Sequence, residues 1–264
     1  MNNYREIIET LVQIFAEIPF EVWKEIVRNE PEWKNMEKFL DLYGFGPFSV
    51  LMVATGINDY QLKGEAEKVY WPKIKNILDE APIPSTPADL CQTLEKFYAH
   101  ERLHNEKIER LHKFLSSELA AKMWNSSPDD ISKEFLFIWK KLATVMQQKK
   151  EAKTIVFAVK CLGISLFMAN NYDFDFSPIP IPVDLRVAKL TEKLLNKVLN
   201  DDEIMEFWNE ILRKIQEKGK RINMIHLDSL IWQLAKLDKD KIHEYFKNLK
   251  MEAIGDKLTQ ILDI

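Results

Sequence analysis

The sequence predicts an all-α fold. Apolar side chains recur at three- and four-residue spacing along most of the 264 residues, as they do on the buried face of a helix. No segment shows the period-two alternation of a strand bounded by hairpin turns. With 46% hydrophobic and 11% aromatic residues, the chain can bury a sizeable core, and this composition excludes a disordered protein.

The apolar stripes predict one helix from Tyr4 to Phe15 and further helices in order along the chain. These cover residues 20–29, 32–43, 47–59, 65–80, 87–98, 101–116, 129–146, 153–169, 184–199, 202–218, 224–237 and 240–262, the last long enough for two helices. The helix-start signals agree with these positions. Ser127 precedes a proline and two acids, and Asn200 precedes three acids in a helix that Gly219 ends.

Two proline-rich segments interrupt the helical pattern. Residues 81–87 form a stiff connector, which we expect to be the boundary between two helical lobes of one catalytic unit, residues 1–264. Residues 170–182 form a long loop, and loops of this length inside compact domains are usually functional or disordered.

Composition limits the possible settings and partners. Two cysteines, Cys91 and Cys161, exclude a disulfide scaffold, and with no signal peptide at the amino terminus we expect a reducing, cytoplasmic location. The longest apolar run is interrupted by Lys160 and is too short for a bilayer span, so no membrane partner is expected. We also expect a monomer with no metal and no cofactor.

The net charge of −4 hides three basic clusters. These are Lys149, Lys150 and Lys153; Arg186, Lys189, Lys193 and Lys197; and Arg213, Lys214, Lys218, Lys220 and Arg221. Each has an ordinary interpretation as a solvated helix face. Because all three fall in one stretch of an acidic chain, they favour a track of contacts to phosphates.

The strongest local signal is the segment 179–189, in which prolines lead into Val183-Asp184 and a basic helix. A carboxylate at the start of a helix is stabilised by the dipole and by free backbone N–H groups. The simpler interpretation is that Asp184 is only a helix N-cap.

This pattern resembles the helix-hairpin-helix DNA glycosylases. The segment Ala152-Lys153-Thr154 before an apolar helix is similar to the archaeal 8-oxoguanine DNA glycosylase branch, AGOG, and so is the 31-residue interval between Lys153 and Asp184. Two further segments, 226–232 and 60–64, resemble that branch's base-pocket helix and glutamine segment. The resemblance covers residues from about 60 to 235 and implies a two-lobed helical fold, a helix-hairpin-helix at about 129–169 and DNA between the lobes.

The resemblance implies that Lys153 is the nucleophile and Asp184 its acidic partner. The dipole of its helix, the neighbouring Lys149 and Lys150, and apolar residues after it all disfavour a charged amine at Lys153. A neutral amine can attack the sugar C1′, and Asp184 would accept its proton or offset charge on the sugar. Taken alone, Lys153 would be interpreted as a solvated first-turn lysine.

The resemblance also implies a base pocket formed by Gln61, Phe157, Asp228 and Trp232. Phe157 lies one turn after Lys153, and Asp228 and Trp232 lie one turn apart, so each pair shares a helix face. Such residues can stack on an extruded base and pair with its edge. Their alternative roles are core packing for the aromatics and a first-turn acid for Asp228.

Phosphate contacts are expected from Lys149, Lys150, Arg186 and Lys189. One departure from the superfamily lies in the hairpin 147–152, which has no glycine where Gly-x-Gly usually cradles a phosphate.

The rival motif is His100-Glu101-Arg102-Leu103-His104, which fits the H-E-x-x-H zinc peptidase signature. On a helix its two histidines would share a face, but a catalytic zinc needs a third ligand, and His112 is two turns further on. A second alternative is a non-catalytic helical DNA-binding protein, which leaves Lys153 without a role. We expect instead a base-excision repair enzyme, a DNA glycosylase and AP lyase that removes 8-oxoguanine from double-stranded DNA by a Schiff base and β-elimination.

Overall fold

The computed structural model describes the backbone of residues 2–262 and the side chains of residues 4–262. Every regular element in that range is helical, which confirms the all-α prediction. The chain divides into two compact units. The central unit is Glu30–Pro178, and the terminal unit contains the described residues up to Asn29 and from Ile179 onward.

The terminal unit contains seven of the described helices. They are α1 (Asn2–Ala16), α2 (Phe20–Arg28), α13 (Leu185–Leu195), α14 (Asp201–Glu217), α15 (Met224–Leu234), α16 (Lys239–Asn248) and α17 (Glu252–Ile261). Within this unit α1 packs on α14, α2 on α15, and α16 on α17. The break between α16 and α17 falls inside the stretch that was long enough for two helices.

The central unit contains the remaining ten α-helices and one π-helical turn. They are α3 (Pro31–Met36), α4 (Lys38–Tyr43), α5 (Phe45–Gly56), the π-helix (Ala66–Tyr70), α6 (Trp71–Glu80), α7 (Pro87–Tyr98), α8 (His104–Leu115), α9 (Glu118–Trp124), α10 (Pro128–Lys133), α11 (Phe135–Met146) and α12 (Lys153–Met168).

Helices α5 and α12 pack closely and form the centre of this unit. A Cβ atom on Gly56 would lie 2.9 Å from the Cα of Ala158, so glycine is required where the two helices touch. Most of α12 after Phe157 is buried, as its apolar sequence predicts.

Four predicted helices differ from the observed ones, and one of them, 65–80, begins as the π-helix Ala66–Tyr70 before α6. The stretch 32–43 is divided into α3 and α4, and 129–146 is divided into α10 and α11 at Glu134. The helix predicted from residue 101 begins only at His104, because Leu103 has a left-handed backbone with φ of 53°. Helix α9 was not predicted, since its seven residues are too few to show a period.

The connector 81–87 is not the boundary between the two units. It lies inside the central unit, where it joins α6 to α7, and these two helices pack on each other. Thr86 caps α7 through a capping box with Asp89. The boundaries fall after Asn29 and after Pro178, the second of them in the proline-rich loop 170–182. Within the described residues, no helix has the length and apolar character needed to cross a membrane.

Candidate active site

Lys153 is the first residue of α12 and follows the hairpin 147–152. Its side chain is half-buried. The N-cap residue is Ala152, which has no side-chain acceptor for the N–H groups of the first turn. The amine therefore lies at the positive end of a sixteen-residue helix whose first N–H groups have no capping side chain.

The hairpin closes without glycine because a glutamine takes the left-handed conformation. Gln147 has φ of 53°, and the N–H of Gln148 donates to the carbonyl of Ala143 at 3.0 Å. The side-chain oxygen of Gln148 accepts from Thr154 Oγ1 at 3.1 Å and from the Arg110 guanidinium at 3.3 Å. These bonds tie the hairpin to the first turn of α12 and to α8.

The two hairpin lysines are exposed. The carbonyl of Lys150 accepts from Trp139 Nε1 at 2.8 Å, and its ammonium lies 4.8 Å from the centre of that ring. Lys149 and Lys150 are thus available for the predicted phosphate contacts, with the backbone of Lys150 held in place by α11.

Phe157 lies one turn after Lys153 and is also half-buried. Beneath it lies a buried charged cluster that the sequence analysis did not identify. Lys160 Nζ lies 5.8 Å from the Phe157 ring centre and donates to Glu30 Oε1 at 3.0 Å. Both charged side chains of this pair are at most 2% exposed.

Glu32 completes this cluster. Its carboxyl is buried, and burial together with the neighbouring Glu30 raises its pKa well above the ordinary value. Lys160 was visible in the sequence only as the break in an apolar run. Nothing in the local sequence marks Glu30 and Glu32 as its buried neighbours.

Gln61 lies in the loop after α5, where its side chain is exposed and its φ is 47°. The adjacent Tyr60 is held in place, because its hydroxyl donates to Glu106 at 2.7 Å and the Arg110 guanidinium lies 5.2 Å from its ring centre. Gln61 therefore follows a tyrosine whose ring is held in place by α8.

A second amine of the central unit is buried. Lys107 is 0% exposed, its Nζ lies 5.1 Å from the Tyr60 ring centre, and burial lowers its pKa. A nucleotide cannot reach this amine, whereas Lys153 is half-exposed. Lys107 was overlooked because its sequence neighbours are charged and suggest a solvated helix.

In the terminal unit, Asp184 is the N-cap of α13. Its Oδ1 accepts from the backbone N–H of Arg186 at 2.8 Å and of Val187 at 2.9 Å. Asp184 is thus a helix N-cap, and its role in catalysis stays a prediction. Both cap bonds use one oxygen, and the carboxyl group is half-buried rather than enclosed.

Trp232 and Arg186 lie together in the same unit. The guanidinium carbon of Arg186 lies 4.2 Å from the centre of the Trp232 ring, and both side chains are half-buried. Lys189, one turn further along α13, is exposed. Arg186 is therefore in contact with a predicted stacking residue, while Lys189 remains on the exposed face with the rest of its basic cluster.

Asp228 is 2% exposed on α15, one turn before Trp232. Near it in the sequence, His226 caps the same helix, its ring nitrogen accepting from the backbone N–H of Asn223. Burial lowers the pKa of His226 to about 3, so its imidazole is neutral near pH 7. The start of α15 is therefore buried, and the His226 imidazole in its first turn carries no charge near pH 7.

The predicted site residues fall in both units. Lys153, Phe157, Gln61, Lys149 and Lys150 belong to the central unit, and Asp184, Asp228, Trp232, Arg186 and Lys189 to the terminal unit. The structure brings Lys153 and Phe157 together on α12, and Arg186 and Trp232 together in a stack. The pairing of Lys153 with Asp184 stays a prediction.

The H-E-x-x-H segment lacks the geometry that the zinc peptidase interpretation requires. His100 precedes α8 and His104 is its first residue, so the two histidines do not share a helix face. Glu101 is buried. His112, considered as the third ligand, contacts Glu95 of α7 instead.

Comparisons with known proteins agree with one another. A family model described as AGOG, N-glycosylase/DNA lyase, matches residues 12–262. The N-glycosylase/DNA lyase of Methanopyrus kandleri is 28% identical over 207 residues, covering 76% of this chain and 78% of that protein. That of Pyrobaculum aerophilum is 25% identical over 245 residues, covering 88% of this chain and 85% of its own.

A solved structure shows the same fold. The crystal structure of Pa-AGOG, an 8-oxoguanine DNA glycosylase from Pyrobaculum aerophilum complexed with 8-oxoguanosine, matches with a TM-score of 0.74. The match covers 95% of this chain and 96% of that one at 20% sequence identity. The two chains therefore share an all-α architecture over almost their whole lengths.

Proposed function

The chain belongs to the AGOG family of N-glycosylase/DNA lyases, and from this premise we propose that the lesion it removes is oxidised guanine in double-stranded DNA. As a member of that family it is a DNA-repair glycosylase with lyase activity. The 8-oxoguanosine bound by the structurally similar Pa-AGOG supports oxidised guanine as the lesion.

The observation that carries this proposal is the half-exposed amine of Lys153 at the start of α12, one turn before a half-exposed Phe157. We assign Lys153 as the nucleophile. Its Nζ forms a bond to C1′ of the damaged nucleotide while the bond from C1′ to N9 of the base breaks. The base leaves with a proton, the sugar ring opens, and the amine becomes an imine. Loss of a 2′ proton then breaks the C3′–O3′ bond by β-elimination.

Asp184 is assigned to the proton that the amine gives up, or to the positive charge that develops on the sugar. The two backbone N–H groups that donate to its Oδ1 fix the orientation of the carboxyl group. The second oxygen, which makes neither cap bond, is the one assigned to the reaction.

The base is assigned to Phe157 and Trp232 for stacking, and to Asp228 and Gln61 for its polar edges. Both rings are half-buried, and an aromatic ring that is partly exposed can stack on an extruded base. Lys149, Lys150 and Lys189 are exposed cations assigned to phosphates. Arg186 has a contact with Trp232 that a purely phosphate-binding role does not explain.

Borohydride trapping tests the proposal. Duplex DNA with one 8-oxoguanine, incubated with the protein and borohydride in the presence of chelator, should give a covalent adduct. The adduct should be lost in Lys153→Gln and kept in the matched variants Lys149→Gln and Lys150→Gln, whose lysines are exposed neighbours. The same duplex with undamaged guanine should give no adduct.

Two other results would contradict the proposal, one for the nucleophile and one for the lesion. An adduct retained by Lys153→Gln but lost in Lys150→Gln would move the nucleophile to the hairpin. Equal release of guanine and 8-oxoguanine from matched duplexes would reject oxidised guanine as the specific substrate.

A further inference from the structure

Helices α7 and α8 bring together three side chains of the kinds that bind transition metals. Cys91 and Glu95 lie one turn apart on α7, and His112 lies on α8, which packs against α7. One ligand atom from each residue lies within 4.8 Å of the other two. None of these residues belongs to the proposed reaction.

The chemistry of the three ligands matches zinc. Thiolate, imidazole and carboxylate are its usual protein ligands, and sites with three protein ligands leave the fourth position to water. A thiolate and a carboxylate together carry two negative charges, which neutralise a divalent cation. The soft thiolate favours zinc or cobalt over magnesium or calcium, which prefer ligands made of oxygen alone.

The distances between the three ligand atoms also fit a zinc ion. Bonds of about 2.0–2.3 Å to a tetrahedral zinc hold neighbouring ligand atoms about 3.3–3.8 Å apart. The three ligand atoms lie at most 4.8 Å from one another, so side-chain movements of about 1 Å bring them to these distances. In the structure His112 Nε2 contacts Glu95 Oε1 directly, and this contact would open to admit the ion.

The group is buried on the side of Cys91 and exposed to solvent on the side of Glu95 and His112. Cys91 is 8% exposed, whereas the side chains of Glu95 and His112 are 34% and 56% exposed. A metal bound here would rest on the buried thiol and present its fourth position to solvent. A contact between a glutamate and a histidine on a surface needs no cysteine beneath it, and the thiol distinguishes this group from such a pair.

We propose that Cys91, Glu95 and His112 form a zinc-type site that links α7 to α8. One ion binds per chain, with water as the fourth ligand. Its role is to hold the two helices of the central unit together, separately from the chemistry on α12.

The terminal unit provides a matched control. His243 Nδ1 lies 2.9 Å from Asp256 Oδ1 in an exposed histidine–carboxylate contact, and among the described residues no cysteine completes a metal-ligand group with this pair. His243→Ala removes a histidine from an acid as His112→Ala does, but it leaves the proposed site intact.

Metal binding tests the proposal directly. Full-length protein without a histidine tag is stripped with chelator, dialysed against Zn²⁺ and analysed for bound metal. It is then titrated with Co²⁺, whose bond to a thiolate gives a charge-transfer absorption. We expect about one ion per chain and a thiolate band that Cys91→Ser abolishes. His112→Ala should weaken binding by more than tenfold, since loss of even an outer partner of a metal ligand costs about 10–100-fold.

Zn²⁺ should also raise the melting temperature of the natural protein and of His243→Ala, but not of His112→Ala. His112 is exposed, so its removal leaves a folded protein in which binding can be measured. Two results would overturn the proposal. One is a Co²⁺ complex without a thiolate band, and the other is an affinity in His112→Ala equal to that of His243→Ala.

Discussion

Replacing Asp184 by asparagine separates its role in the helix from its role in the reaction. In the structure, Oδ1 accepts from the backbone N–H groups of Arg186 and Val187, and the oxygen of an asparagine can accept the same two bonds. Asparagine and aspartate cap helices about equally well, whereas loss of the cap to alanine costs about 0.5–2 kcal/mol. We therefore expect Asp184→Asn to keep the stability of the protein within about 0.5 kcal/mol and Asp184→Ala to lose about 1–2 kcal/mol.

Activity should behave differently. An amide cannot take the proton of an amine or offset positive charge on a sugar, and proton transfer by a positioned side chain contributes about 10²–10⁴-fold to a rate. We expect Asp184→Asn to release 8-oxoguanine about 10²–10⁴ times more slowly in single-turnover experiments. Urea unfolding of the same preparation measures the stability.

Asp238 is the matched control, because it is the N-cap of α16 and accepts from the N–H of Lys241. Asp238→Asn makes the same chemical change at another helix and should leave the rate of base release unchanged. The assignment of Asp184 to the reaction fails if Asp184→Asn releases the base at a rate within about twofold of the natural protein. If Asp184→Asn lost more stability than Asp184→Ala, capping of α13 would not be the whole structural role of Asp184.

Three further predictions concern buried titratable groups, and urea unfolding measures each of them. Lys160→Met should cost about 3–5 kcal/mol, because Glu30 is left buried without its cation, and the added Glu30→Gln should recover most of this loss. Glu32→Gln should be more stable than the natural protein above pH 4.5, and increasingly so as pH rises, because the raised pKa of Glu32 makes its folded form hold a proton that the unfolded chain releases. The pKa of His226 is about 3 in the folded protein and 6.5 in the unfolded chain, so the free energy of unfolding should fall by about 1.4 kcal/mol per pH unit as pH falls from 6.5 to 3. His226→Asn should lack this pH-dependent loss.

Helix positions could be predicted where the local sequence determines them. The capping residues Ser127 and Asn200 are N-caps in the structure, and Gly219 has a positive φ after the end of α14. The start of α8 could not be predicted, because Leu103 takes a left-handed conformation that its sequence does not favour. Such a conformation depends on packing around it and not on local propensity.

The site could be predicted only in part, for the same reason. Local periodicity predicted that Lys153 and Asp184 lie at helix starts and that Phe157 lies one turn after Lys153, whereas their roles in the reaction came from the family resemblance and stay predictions. The buried Glu30, Glu32 and Lys160 are invisible to that method, because charged residues are assigned to solvent unless a tertiary partner is known. The unit boundaries were missed for a related reason. Prolines mark a stiff segment, but only packing shows whether the helices on its two sides belong together.

Arg186 illustrates how contacts change the interpretation of a charge. Its spacing with Lys189 placed it in a row of phosphate contacts, yet its guanidinium lies 4.2 Å from the centre of the Trp232 ring. Cation–π contacts of this kind are worth about 0.5–2 kcal/mol and fix the orientation of the ring. An arginine that holds Trp232 in place should affect the recognition of the flipped base more than the attraction to the DNA backbone.

The two roles differ in their salt dependence, because each phosphate contact contributes about 0.9 to the slope of log affinity against log salt concentration. We expect Lys189→Ala to lower this slope by about that amount and to leave the preference for 8-oxoguanine over guanine duplexes unchanged. Arg186→Ala should reduce the preference and leave the slope unchanged. Equal losses of slope in the two variants would show that Arg186 leaves Trp232 and binds a phosphate when DNA is present, and the orienting role would then be wrong.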